Sequence, residues 1–114
     1  MNRFSMLVAA LLLALPSLAA AETWTGVPLV DVACSAKAKV KANPDAHTRD
    51  CALACSKSGY GILTADGTYL KFDEAGNAKA LAALNASQKT DHLRVTVTGD
   101  RLVGTIKVAD LKLE

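Results

Sequence analysis

The sequence predicts a small, mainly β domain with two helices, built as a closed five-stranded barrel. Three observations carry that expectation. Short segments alternate apolar and polar residues, most clearly from His92 to Thr98. Turn dipeptides such as Asp66-Gly67 separate them. An Ala-rich helical stretch falls between the third and fourth strand segments.

The chain opens on residues with the pattern of a cleaved signal peptide, residues 1–21. Arg3 is the basic start, Met6 to Leu15 the short apolar core, Pro16 the breaker, and Ala19-Ala20-Ala21 the cleavage motif. A span needs roughly 20 apolar residues, so this run is too short, and no membrane span is expected after its removal. Residues 22–114 then form one domain, and the expected location is the periplasm or the medium.

All but one of the 13 basic residues and all 11 acidic ones fall after residue 21. The domain is close to neutral, which gives no electrostatic basis for binding nucleic acid. Trp24, Tyr60, Tyr69 and Phe72 are its only aromatic residues, too few for a base-stacking platform.

Thr23 to Cys34 reads as the first strand, with Pro28 at an edge or bulge. Regular alternation would place Asp31 and Cys34 on opposite faces. Ser35 to Pro44 reads as a solvated loop or edge, its Lys37, Lys39 and Lys41 acting as gatekeepers or as an anion-binding strip. Asp45 to Lys57 reads as a short helix capped by Asp45 or Thr48 and ended at Ser58-Gly59.

Tyr60 to Asp73 reads as a hairpin on a two-residue Asp66-Gly67 turn. In that register Leu63 faces Leu70, and Leu63, Leu70 and Phe72 share the core face. Glu74 to Gln88 reads as a helix capped by Asn77, burying Ala78, Leu81, Ala82 and Leu84. His92 to Thr98 is the fourth strand, with turns possible at Gly99-Asp100 or Val103-Gly104. Ile106 and Val108 begin the fifth, and Leu111 and Leu113 fall out of phase with them, so a bulge is expected near Ala109-Asp110.

Without the helix inserted between strands 1 and 2, this is the element order of an OB-like barrel. An open α+β sheet is the alternative. Barrel closure is favoured because it leaves no strand edge unpaired.

The set Trp24-Thr25-Gly26, Val30-Asp31-x2-Cys34, His47-x3-Cys51-x3-Cys55, Gly59, Val95-x-Val97-Thr98-Gly99 and Thr105-Ile106-x-Val108 resembles a family of small exported bacterial domains. The resemblance covers nearly all of residues 22–114. It implies a compact exported OB-like domain and adds no reaction.

The chemistry concentrates in Cys34, His47, Cys51 and Cys55, which admit three readings. The first is a metal site of three thiolates and one imidazole, suited to zinc or copper. On a straight helix His47 and Cys55 lie about 12 Å apart along the axis, so His47 would have to fold back. The second is a disulfide from Cys34 to Cys51 or Cys55, with one thiol left over. It would stabilise by roughly 3 kcal/mol in the chain-entropy model. The third is a redox thiol activated by His47, although C-x-x-C is absent.

No G-x-S-x-G, H-E-x-x-H or phosphate-loop motif occurs, so an enzyme is not expected. A binding or interaction module is the broader expectation. Its partner would be a protein or glycan, met near Trp24, Tyr60 and Tyr69.

Overall fold

The computed structural model describes residues 21–114. Apart from Ala21, the leader expected at residues 1–21 lies outside the described residues. Five strands, β1 (Glu22–Asp31), β2 (Tyr60–Leu63), β3 (Tyr69–Phe72), β4 (Arg94–Leu102) and β5 (Thr105–Leu113), close into a barrel. The order around it is β1-β2-β3-β5-β4, and β4 pairs back onto β1. Only β3 and β5 run parallel. This is the expected five-stranded OB-like barrel, mainly β, with four short helices added.

Two bulges bend the longer strands. On β1, Thr25 and Gly26 oppose the single residue Thr96, and Gly26 takes φ +63°. On β5, the pairing steps from Thr98↔Asp110 to Gly99↔Val108, which leaves Ala109 extra. The bulge expected near Ala109-Asp110 is therefore present. The last hairpin turns at Val103-Gly104, not at Gly99-Asp100.

The first hairpin differs from expectation by one residue. Ile62, not Leu63, faces Leu70, and Leu63 faces Tyr69. The loop is Ala65-Asp66-Gly67, with Gly67 at φ +84° and its N–H donating to Thr64 O. A three-residue loop replaces the two-residue turn, and the slip moves the core face to Ile62, Leu70 and Phe72. Leu63 is buried but stands outside the main cluster.

Helix α4 (Glu74–Ala86) packs mainly on β5, and also touches β2, β3 and α3. Its cap is Asp73, whose carboxylate accepts from Gly76 N–H; Asn77 instead accepts from Tyr60 N–H. The buried stripe is Gly76, Ala80 and Leu84, not Ala78 and Ala82, which are exposed.

Between β1 and β2 lie three short helices, α1 (Val32–Ser35), α2 (Ala38–Ala42) and α3 (Arg49–Ala54). The lysine segment is thus partly helical, as its Ala and Lys content allows. Two 3-10 turns, Pro44–Ala46 and Ser56–Ser58, join these pieces. Among the described residues no helix is long and apolar enough to cross a membrane.

Candidate metal centre

The strand does not continue to Cys34. β1 ends at Asp31, which caps α1: its Oδ2 accepts from Cys34 N–H at 3.0 Å. The turn swings Cys34 to the same side as the carboxylate that caps it. Val32 N–H donates to Gly59 O, which ties α1 to the start of β2.

His47 arrives from the other direction. It follows the Pro44–Ala46 turn and precedes Thr48, the α3 cap, so it is not on the helix at all. The turn is clamped to the barrel: Arg94 donates to both carboxylate oxygens of Asp45 at 2.8 and 3.0 Å and to Gly26 O at 2.7 Å. His92 N–H adds a bond to Asp45 O. So held, His47 places Nε2 at 2.6 Å from Asp31 Oδ1.

Asp31, Cys34 and His47 thus converge, each offering one ligand atom, with all three atoms within 4.8 Å of one another. Asp31 is fully buried, and Cys34 and His47 are 7% and 8% exposed. A buried carboxylate demands donors. Asp31 has two, Cys34 N–H and the His47 imidazole, and the Cys34 thiol lies beside it. Burial pushes the Cys34 thiol above its ordinary pKa, and the Asp31 carboxylate pushes further by hydrogen bond and by charge. Burial, then the same negative charge, also raises Tyr60 and Tyr69.

Tetrahedral bonds of roughly 2.0–2.3 Å put neighbouring ligand atoms about 3.3–3.8 Å apart. The group fits such an ion if the His47–Asp31 contact opens by under about 1 Å. The donor set is one sulfur, one nitrogen and one oxygen. Cys34 and His47 also line a cavity of about 510 Å³, whereas Asp31 lies behind them.

Of the expected set Cys34, His47, Cys51 and Cys55, the first two converge with Asp31, and Cys51 lines the same cavity as both. Cys51 is exposed on α3, and Cys55 is half-buried at its end. All three cysteines are free, so no disulfide links Cys34 with Cys51 or Cys55. The capped turn at Asp31 sets Cys34 beside the carboxylate and imidazole. Asp31 is the residue the sequence reading missed as a ligand. The signal was present, since an Asp three residues before a Cys is capping spacing.

Tyr60, Tyr69 and Trp24 form no outward surface together. Tyr60 is fully buried and donates to Ala52 O. Tyr69 is half-buried and donates to Val30 O, and Trp24 packs partly against the core. An inward Tyr60 has no face left for a partner.

No family model matches the chain, and neither does any curated protein or solved structure.

Proposed function

We propose that this protein is an exported OB-like barrel that binds one metal ion through Asp31, Cys34 and His47. The carrying observation is the approach of three unlike ligand atoms, all from buried residues, to within 4.8 Å. A mixed sulfur, nitrogen and oxygen set suits borderline zinc; copper(I) would favour a second sulfur over the carboxylate. Export rests on the leader pattern of residues 1–21. Cys34 itself is a poor redox thiol, because burial and Asp31 hold its proton on.

Native mass spectrometry of protein purified from the periplasm under reducing conditions tests both parts. The reading expects a chain beginning at Glu22 that carries one zinc. Cys34→Ser should lose the ion, and Cys51→Ser and Cys55→Ser should keep it. Folded protein that takes up no zinc, or whose zinc depends on Cys51 and Cys55, contradicts it.

A further inference from the structure

We propose that the metal's remaining coordination position takes the carboxylate of a small apolar monoanion seated in the cavity between α2 and α3. This rests on the metal reading above.

Three ligands from the chain leave one position of a tetrahedral ion open. The side on which it opens is set by burial. Asp31 is sealed behind, while Cys34 and His47 both face the cavity. An exogenous ligand therefore approaches from the cavity.

Charge then selects the ligand. A divalent ion with one carboxylate, one thiolate and a neutral imidazole is uncharged overall. An added anion leaves one negative charge beside the cavity. No acidic residue lines that space, and Lys37 and Lys39 do. A cationic ligand would meet both lysines with nothing to offset them.

The remaining wall selects the body of the ligand. Val40, Ala42 and Ala46 line it beside Asn43, Thr48 and Cys51, and about 510 Å³ falls within the usual range of small-molecule pockets. An alkyl or aryl chain attached to the carboxylate would bury against these side chains.

Cobalt(II)-loaded protein gives the readout, since its visible bands report the ligand at the open position. Hexanoate is the probe, acetate the short control and hexanamide the uncharged one. The bands should shift with hexanoate at a half-saturating concentration at least about tenfold lower than with acetate, from burial of its methylenes. Hexanamide should leave them unchanged. Lys37→Gln should weaken the hexanoate response several-fold while cobalt still binds. Bands that ignore hexanoate, or respond equally to acetate, overturn this proposal alone. Failure to bind cobalt at all strikes the metal reading instead.

Discussion

His47 Nε2 lies 2.6 Å from Asp31 Oδ1, with side-chain exposures of only 5% and 0%. The pair joins the end of β1 to the turn before α3, which Arg94 also ties to β1 through Asp45 and Gly26 O. A carboxylate with no access to water must keep its donors, so the contact fixes where His47 stands. The same carboxylate caps α1 and thereby places Cys34.

Asp31→Asn separates these roles. Asparagine caps a helix about as well as aspartate, so α1 should persist. The charged acceptor for His47 is lost, at a cost of about 1.5–3 kcal/mol in urea unfolding of the metal-free protein. Asp31→Ala should cost about 1 kcal/mol more, because the cap goes too. Native-like stability of Asp31→Asn would show that the pair does not hold the segment.

Metal binding should release a proton. The Cys34 thiol, pushed above its ordinary 9.0, is protonated at neutral pH and must ionise to ligate. Apparent affinity should therefore rise about tenfold per pH unit through neutrality for each proton released. Calorimetry in buffers of different ionisation enthalpy measures that number. The same upward shift contributes stability to the metal-free fold below the unfolded thiol's pKa. That contribution disappears as pH rises through the folded value.

Asp45 and Arg94 give an acid limb. Hydrogen bonds from Arg94 hold the Asp45 carboxyl below its ordinary 3.8. A lowered folded pKa contributes stability above the unfolded value and loses it as pH falls through the folded one. The pair should matter at pH 7 and fade below about pH 4. With Arg94 at 42% and Asp45 at 25% exposure, Asp45→Asn should cost no more than about 1 kcal/mol at neutrality. Thermal unfolding against pH should show a shallower acid limb in the variant.

Thiol labelling of the reduced protein should rank the cysteines by access. Cys51 is exposed, and Cys34 is buried with a raised pKa. Cys51 should react first and Cys34 last, and zinc should slow Cys34 alone. Mass-resolved labelling assigns each rate. Protection of Cys51 or Cys55 by zinc would point to a different site.

Gly76→Ala tests how α4 sits on the barrel. Alanine favours a helix by about 1 kcal/mol over glycine. Here a Cβ would stand 2.5 Å from Val108 Cγ2 and 2.8 Å from Phe72 Cβ. Overpacking costs of about 1–3 kcal/mol should win, and chemical denaturation should show a net loss.

The barrel was readable because its strands carry local patterns. Leu93, Val95 and Val97 alternate, and all three are buried. Leu111 and Leu113 fall out of phase, and the bulge at Ala109 is the reason. The first hairpin misled because Asp-Gly suits both a two-residue and a three-residue loop, and one residue exchanges Ile62 for Leu63 on the core face. In the site, Cys34 and His47 stood out by residue type. Asp31 does not, because the alternation of β1 runs on in the sequence as far as Cys34, across the turn that Asp31 caps. His47 looked helical for a related reason: its spacing to Cys51 is one turn, but Thr48 caps the helix between them.

The most direct measurement is cobalt(II) titration of the reduced protein, followed by thiolate-to-metal absorption. One equivalent should saturate a single-thiolate band. The band should vanish in Cys34→Ser and persist in the Cys51→Ser, Cys55→Ser double variant. A folded protein with no band, or a band that survives in Cys34→Ser and is lost in the double variant, would contradict the assignment of Asp31, Cys34 and His47 as the ligands.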